Sequence, residues 1–315
     1  MIVYRQAETL AQDLGIPVRT LYALSNDLAR HYRTVELPKG DGTVRKLSVP
    51  SPLLKTIQRR ITERLLVHMP VSPYATAYRY GGSPLRNAAP HVGQPMVLNL
   101  DIYHFFDSVL YSTVKEAAFP ARIYAEPLRV LLTMLCYHGE GLPQGAPSSP
   151  AISNLILRDF DLEIGSWCRI RNISYTRYCD DMTFSGDFDP REIISYVEAT
   201  LRTYGFFLNQ PKTRWSSPGQ RQTVTGLVVN EQVSVPSAYR RQLRQEIRFC
   251  QKFGVEDHLR RTCSGQSPEA YLQRLLGRVG YLLQVSPDSR DARAWRAWIL
   301  ATMKKARSNT PCFFF

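Results

Sequence analysis

Apolar and polar residues follow several different spacings in the first third of the chain, and these predict both helices and strands. From Glu8 to Arg30 the apolar residues recur at helical spacing, interrupted at positions 14–17 by Leu-Gly-Ile-Pro. Residues 39–50 alternate basic and apolar positions after an Asp-Gly pair, which is typical of a β-hairpin. From Pro52 to His68 the helical spacing returns and forms one apolar stripe. This part therefore predicts two short helices, a hairpin and a longer amphipathic helix.

In the central part of the chain, short apolar runs are bounded by turn residues, which predicts a buried sheet. One run ends at Asp101 and is typical of a strand. Two further runs flank the pair Asp180–Asp181 and predict a hairpin with this pair at its tip. Residues 141–154 lie between these motifs and form a loop stiffened by glycine and proline. Its Ser148 and Ser149 can cap the helix that follows.

After Pro236 the chain becomes basic and helical. Apolar residues form one stripe from Tyr239 to Cys250, and an arginine recurs every four positions beside it. Two more helices are predicted, near Pro268–Gln284 and Arg290–Ala306. A helix with a core on one side and arginines on the other can lie against a phosphate backbone, although the pattern also suits a solubilising face. The three arginines are Arg240, Arg244 and Arg248.

A strong excess of basic residues indicates which kind of partner the protein binds. The 315 residues include 40 Lys and Arg against 27 Asp and Glu, which gives a net charge of +13 and an isoelectric point near 9.6. Such a charge favours a polyanion, and nucleic acid fits it better than an anionic membrane surface. The sequence contains neither an apolar run of about 18 residues nor the apolar core of a signal peptide. We therefore expect a cytoplasmic protein without a membrane partner.

The six cysteines show no Cys-x-x-Cys pair and no regular spacing. The sequence therefore predicts neither a zinc site nor a disulfide framework. We expect reduced and mostly buried thiols.

Asp101 and the pair Asp180–Asp181 supply three carboxylates that can meet at one edge of the predicted sheet. Adjacent carboxylates repel each other unless a cation lies between them. Three such groups are suited to hold two Mg²⁺ ions roughly 4 Å apart, which stabilise the attacking and leaving oxygens of a phosphoryl transfer. The alternative is two solvated acidic turns. The stiffened loop between the two motifs favours the metal site.

The order of Asp101, the loop at 141–154 and Tyr178-Cys-Asp-Asp181 resembles the reverse transcriptases. Two smaller motifs resemble the bacterial retron reverse transcriptases in particular. Asn87-Ala-Ala-Pro-His91 is similar to the retron Asn-Ala-x-x-His motif, and Val224-Thr-Gly226 is similar to the retron Val-Thr-Gly motif.

The resemblance runs from about Arg30 to about Asn230, with a weaker basic C-terminal part. It implies an α+β fold of the right-hand polymerase type, with fingers, a palm built of an antiparallel sheet backed by helices, and a helical thumb. We assign N-terminal helices and fingers to residues 1–95, the palm with the active site to 96–230 and the basic thumb to 231–315. One departure is Cys179, where the family usually has alanine. Both residues are small, so we expect a tuned and functional site.

The resemblance also implies roles for single residues around the nucleotide. Arg45 matches the fingers arginine that folds onto the triphosphate, and its planar fork suits phosphate oxygens. Phe106 matches an aromatic steric gate that excludes a 2′-hydroxyl. Gln144 would touch the nucleotide or template, and Lys212 would neutralise or protonate the leaving pyrophosphate. For Arg45 the alternative is an exposed cation on an edge strand. For Gln144 it is a structural amide bond within the loop, and for Lys212 it is a lysine in a solvated turn.

Catalysis is assigned to Asp101, Asp180 and Asp181, and these residues with Ile102 form the predicted site for two Mg²⁺ ions. For RNA or DNA binding the retron motifs point to Asn87, His91 and Thr225, together with the thumb arginines already named. Loop and strand scaffolding is the alternative for Asn87, His91 and Thr225.

The resemblance implies an RNA-directed DNA polymerase that uses dNTPs and a cognate structured non-coding RNA. Synthesis would begin from the 2′-hydroxyl of an internal guanosine and leave multicopy single-stranded DNA (msDNA) branched from RNA. Recognition of such an RNA rests on shape, phosphate and 2′-hydroxyl contacts. The family also implies anti-phage defence with a separate effector or toxin protein.

Two rival functions come from different classes. A group II intron or diversity-generating reverse transcriptase is disfavoured by the Asn87–His91 motif and the absence of a maturase or endonuclease segment. A non-catalytic scaffold that binds RNA or DNA would carry the same charge, but it has little use for three aspartates at these spacings.

A further hypothesis concerns Phe313–Phe315, which we expect to dock on the thumb or a partner because free phenyl rings favour aggregation.

Overall fold

The computed structural model describes residues 3–38, 42, 44–262 and 265–308. The aromatic tail at 313–315 and most of the predicted hairpin turn at 39–43 lie outside these residues. The chain divides into two compact units, Met1–Ser217 and Pro218–Phe315. The division falls before the predicted boundary at 230/231, and the finger, palm and thumb assignments stay predictions.

The N-terminal part of the first unit follows the predicted order of helices and hairpin. Gly15 stands in a left-handed conformation with φ of 60° and ends the first helix, which accounts for the predicted break. The two strands of the hairpin pair antiparallel from Tyr32 with Pro50 to Pro38 with Val44. The elements are α1 (Ala7–Leu14), α2 (Val18–Asn26), β1 (Tyr32–Pro38), β2 (Val44–Pro50), α3 (Pro52–Arg64) and α4 (Pro84–Ala88).

A four-stranded antiparallel sheet forms the centre of the first unit. Its strand order is β4-β5-β3-β6, with β3 (Met96–Asp101), β4 (Ser174–Tyr178), β5 (Asp181–Gly186) and β6 (Arg214–Ser216). The strand ending at Asp101 and the predicted hairpin are confirmed, but the tip of the hairpin is Cys179–Asp180, and Asp181 is already the first residue of β5.

Helices cover this sheet. Leu98 and Phe184 of the central strands are fully buried in one core with Phe160 and Val197 of two of the helices. The predicted antiparallel sheet backed by helices is therefore present. The helices are α5 (Phe105–Ser108), α6 (Tyr111–Ala118), α7 (Glu126–Cys136), α8 (Ser149–Ile156), α9 (Arg158–Ile170) and α10 (Pro190–Thr203).

Ser148 takes the predicted N-cap position of α8, yet its side chain makes no capping hydrogen bond. The neighbouring Ser149 hydroxyl instead donates to the Pro143 carbonyl at 2.9 Å. The loop thus closes on itself, and the prediction of hydroxyl capping was wrong in its detail.

The second unit is helical after a small hairpin, as predicted for the part beyond Pro236. Leu243 and Ile247 lie fully buried on the apolar stripe of its first long helix. Glu246 on the same helix forms an ion pair with Arg278 at 2.7 Å, which joins it to a later helix. The elements are β7 (Thr223–Val224), β8 (Leu227–Val228), α11 (Ser237–Phe253), α12 (Val255–Arg261), α13 (Pro268–Val285) and α14 (Arg290–Ser308).

Two further expectations concern the chain as a whole. Cys136, Cys168, Cys179 and Cys250 are buried free thiols, as predicted for most of the cysteines. Among the helices in the described ranges, none is both long and apolar enough to cross a bilayer.

His91 lies inside the first unit and has no exposed surface. One ring nitrogen, Nδ1, lies 2.6 Å from the Ser185 hydroxyl, and Nε2 lies 2.8 Å from the Thr176 hydroxyl. Burial lowers the pKa of His91 to about 4 because a charged imidazolium is poorly solvated there. The folded protein therefore holds a neutral ring that bridges two strands.

We predict that His91 makes the stability depend on pH. Its pKa is lower in the fold than the 6.5 of an unfolded chain, so the unfolded state binds the proton first as the pH falls. Above pH 6.5 the neutral ring contributes its full share of the stability. As the pH falls from 6.5 to 4, the free energy of unfolding should decrease by on the order of 3 kcal/mol. Urea unfolding of His91→Gln should lack this loss. The exposed control His68→Gln should keep it, and parallel curves for wild type and His91→Gln would contradict the assignment.

Candidate active site

The pairing of the two central strands brings the three predicted catalytic aspartates together. Asp101 is the last residue of β3 and stands directly opposite Asp181, the first residue of β5. Cys179 and Asp180 form the two-residue turn between β4 and β5. The amide of Ile102 donates to the Asp180 carbonyl at 3.2 Å, which ties the turn to the end of β3. The carboxylates therefore meet at one end of the sheet.

Electrostatic repulsion acts on Asp181. Its side chain reaches solvent, yet the dense protein around it removes much of its hydration, and this effect raises its pKa most. The charges of Asp180 and Asp101 raise the pKa further, while Lys212 lowers it, and the result is about 7. A bound cation would relieve this repulsion.

Asp101 is buried and its carboxylate is held from two sides. The Lys212 ammonium donates to Oδ2 at 2.9 Å, and the Asn209 side-chain amide donates to Oδ1 at 2.8 Å. The Asn209 main-chain N–H also donates to the Asp101 carbonyl at 2.8 Å. Burial works against the charge of Lys212, but the bond to Asp101 and the three carboxylates outweigh it and raise the pKa of Lys212.

The donor chemistry of this cluster fits a hard divalent cation. Carboxylate oxygens of Asp101, Asp180 and Asp181, together with the main chain of Ile102, are the oxygen ligands that Mg²⁺ prefers. As the side chains stand, no three His, Cys, Asp or Glu residues of the described chain form a finished metal cage. Lys212 occupies one oxygen of Asp101. A carboxylate has about four lone-pair sites, so Asp101 keeps acceptor capacity for a cation beside the bonds from Lys212 and Asn209.

The loop at 141–154 is fastened to the elements that carry the predicted nucleotide-binding residues. The Ser48 amide of β2 donates to the Gln144 carbonyl at 2.9 Å, and the Leu142 amide donates to the Phe106 carbonyl at 2.8 Å. Gly145 has φ of 126°, and a β-carbon there would lie 2.9 Å from the Ser48 carbonyl oxygen, so glycine is required.

The loop thus groups three of the four predicted nucleotide-binding residues. Arg45 is exposed on β2, Phe106 is half-buried on α5, and the Gln144 side chain lies 3.5 Å from Asp107 Oδ1. Lys212 contacts Asp101 instead.

The residues predicted to bind RNA fall into two groups. Asn87 and His91 have no exposed surface, and the Asn87 side-chain carbonyl accepts a bond from the Thr76 hydroxyl at 2.6 Å. Neither side chain is exposed on the surface where RNA would bind. Their burial agrees with the alternative, in which both residues support the loop and the strands around them. Thr225 lies in the turn between β7 and β8 with φ of 46°. The predicted arginines of α11 are exposed, and they are Arg240, Arg244 and Arg248.

Sequence reasoning missed two residues that contact this site. Asn209 bonds Asp101, as described above. Arg177 is fully buried and donates to the Cys179 carbonyl at 2.7 Å. An arginine at an inward-facing position of an otherwise buried strand, next to the hairpin tip, was a signal that could have identified Arg177. Asn209 offered only its position three residues before Lys212.

An antiparallel sheet backed by helices, with acidic residues at a strand end and at the adjoining hairpin, is the arrangement expected of a template-copying polymerase. Residues 37–249 match the family model described as "Reverse transcriptase (RNA-dependent DNA polymerase)", and the chain belongs to this family. Reverse transcriptases generally use divalent metal ions, which agrees with the donor set. The protein is therefore an RNA-directed DNA polymerase.

Curated relatives narrow the family to the retron type. The retron Mx65 reverse transcriptase of Myxococcus xanthus is 33% identical over 320 residues, covering 93% of this chain and 71% of the relative. The retron Ec86 reverse transcriptase of Escherichia coli is 32% identical over 265 residues, covering 82% of each. Among solved structures, apo telomerase from Candida tropicalis matches with a TM-score of 0.47 and 12% identity, covering 87% of this chain and 58% of that one. That last likeness is too distant to bear on function.

We predict that Asn209→Asp destabilises the protein through Asp101. The variant replaces a donor to Oδ1 with a second carboxylate, so the free energy of unfolding should fall by about 1–3 kcal/mol at pH 8. Millimolar Mg²⁺ should restore part of the loss because a cation can neutralise the added charge. Urea unfolding with and without Mg²⁺ measures both effects. The neighbouring exposed Gln210→Glu is the control, and equal losses in the two variants would refute the contact.

Proposed function

We propose that this enzyme copies part of a structured retron RNA into msDNA, with synthesis primed from an RNA 2′-hydroxyl. The observation that carries the catalytic part is the convergence of Asp101, Asp180 and Asp181 at one end of the central sheet. The identities of 32–33% with two retron reverse transcriptases support the choice of template class. A role in anti-phage defence with a separate effector protein is part of the same proposal.

In this proposal the aspartates and Ile102 hold two Mg²⁺ ions. Bound there, the ions would activate the 3′-hydroxyl and stabilise the charge of the departing pyrophosphate. The Lys212 ammonium nitrogen lies 2.9 Å from Asp101 Oδ2, and in this proposal the ammonium neutralises or protonates the leaving pyrophosphate.

The loop at 141–154 then supports the incoming dNTP. Arg45 binds its phosphates from β2, and the Phe106 ring excludes a ribose 2′-hydroxyl. Gln144 contacts the nucleotide or the template. Its carbonyl is fixed to β2 at 2.9 Å, which keeps the residue beside the strand of Arg45.

The second unit offers a surface for the RNA backbone. A cleft of about 600 Å³ is lined by parts of the β7–β8 hairpin region and by the start of α11. Arg244 pairs with Asp291 at 3.1 Å, where both side chains are more than half exposed, so this pair is weak and exchangeable with phosphate. The Thr225 turn belongs to the same hairpin. The arginines of this cleft, called the arginine cleft below, are Arg221, Arg240, Arg241 and Arg244.

We predict that Asp180→Asn combined with Asp181→Asn abolishes dNTP incorporation and leaves RNA binding intact. Asparagine keeps the shape of the turn but removes two negative charges needed for the metal ions. Primer extension and filter binding on the same RNA measure the two properties. The control combines Asp187→Asn with Asp159→Asn, two exposed sites with the same change of charge. Wild-type extension by the active-site variant would remove these two residues from the mechanism.

We predict that the arginine cleft contributes to the salt dependence of RNA binding. Replacing its four arginines with glutamine should make the slope of log K against log salt shallower, by about 0.7–0.9 for each phosphate that the protein no longer neutralises. Binding titrations over a series of KCl concentrations measure the slope. The control replaces four exposed arginines of the first unit, which are Arg5, Arg19, Arg122 and Arg191. Equal slopes for the two variants would exclude a specific role for the cleft.

A further inference from the structure

The turn that presents Asp180 has an unusual backbone conformation. Cys179, its first residue, has φ of 63° in the left-handed region, where a residue with a β-carbon is strained. A two-residue hairpin turn commonly uses asparagine or glycine for this purpose. Neither is present here, so contacts from outside the turn must hold its conformation.

Arg177 supplies such a contact from inside the protein. Its side chain has no exposed surface, and Nη1 donates to the Cys179 carbonyl at 2.7 Å. The bond crosses from β4 to the turn and fixes the peptide between Cys179 and Asp180. Because a guanidinium is charged, this bond is stronger than one between neutral groups.

The guanidinium is itself held in place. Asp161 on α9 accepts from Nε at its Oδ1 and from Nη2 at its Oδ2, both at 2.7 Å, in a bidentate pair. Asp161 has no exposed surface and also accepts from the Tyr175 hydroxyl at 2.8 Å. A buried pair of this kind costs desolvation and is a poor source of stability. Its geometry, however, leaves Nη1 a single orientation, toward the turn.

The same nitrogen connects the turn with the loop at 141–154. Nη1 lies 3.3 Å from the side-chain oxygen of Asn154 on α8, the helix that follows this loop. The Asn154 amide donates in turn to the Ala77 carbonyl at 2.8 Å. The main chain of Arg177 is fixed as well, since its amide donates to Tyr74 and its carbonyl accepts from Thr76, both at 2.8 Å.

We propose that Arg177 is a positioning residue for the catalytic aspartates. It holds the left-handed Cys179 peptide so that Asp180 and Asp181 face Asp101, and Asp161 orients it for this task. An aliphatic residue at position 177 could fill the same place in the strand and the core. It would have no hydrogen-bond donor for the Cys179 carbonyl. The catalytic consequence rests on the function proposed above, whereas the effect on the turn does not.

The test compares Arg177→Lys with wild type. Lysine keeps the charge beside Asp161 but lacks the planar fork, so it cannot maintain the bidentate pair and the bond to Cys179 together. We expect a folded protein in which amide exchange of the turn at 179–182 is about tenfold faster and the Kd for Mn²⁺ is about tenfold higher. The kcat for primer extension should fall while the KM for dNTP stays within about twofold, since the nucleotide contacts are elsewhere.

The control is Arg169→Lys, an exposed arginine on the helix that carries Asp161. It should match wild type in amide exchange, Mn²⁺ binding and kcat. A purely structural role for Arg177 predicts a lower Tm with unchanged Mn²⁺ binding and unchanged kcat per folded molecule, and this result would overturn the proposal.

A second variant covers the case in which Arg177→Lys does not fold. Arg177→Met with Asp161→Leu removes both buried charges, which such sites often tolerate. The proposal expects this protein to fold with the same fast exchange and weak Mn²⁺ binding. Wild-type behaviour of the double variant, or failure of both variants to fold, would assign Arg177 to the fold alone. A wild-type protein that binds Mn²⁺ but makes no DNA on RNA would instead refute the proposed function and leave the positioning role standing.

Discussion

The antiparallel pairing of β3 with β5 is the constraint on which the first unit depends, because it sets Asp101 directly opposite Asp181. Directly opposed residues in a sheet have their β-carbons about 5 Å apart, so the backbone forces two carboxylates together. The turn before β5 adds Asp180. Repulsion among them contributes to the raised pKa of Asp181. The sheet thus concentrates negative charge at the end of its central strands, and the surrounding contacts must offset it.

Two sets of contacts perform this task in different ways. Lys212 and Asn209 donate directly to the Asp101 carboxylate and so stabilise its charge when no metal ion is bound. Arg177 acts from behind the turn through a main-chain carbonyl and leaves the carboxylate oxygens of Asp180 and Asp181 available. The first set contacts a catalytic carboxylate directly, whereas the second contacts only the main chain of the turn.

The pattern of the sequence predicts the elements well because strand, hairpin and helix signals are local. The strand ending at Asp101, the Asp180–Asp181 hairpin and the helices after Pro236 all occur as expected. Side-chain partners are less predictable, because they depend on packing between distant segments. His91 stands in a motif similar to one of the retron family, yet it is buried against Ser185, and no local pattern could show that. Asn209 was missed for the same reason.

Cys179, the departure from the usual alanine of the family, does not change the donor chemistry of the site. A thiolate beside the aspartates would add a soft ligand and favour metals such as zinc over magnesium. Burial and the charge of Asp180 raise the pKa of this thiol to about 12, so it stays protonated at neutral pH. A protonated thiol is a weak ligand, and its carbonyl, not its sulfur, is the atom bound by Arg177. The donor set at this end of the sheet therefore remains three carboxylates and main-chain oxygen.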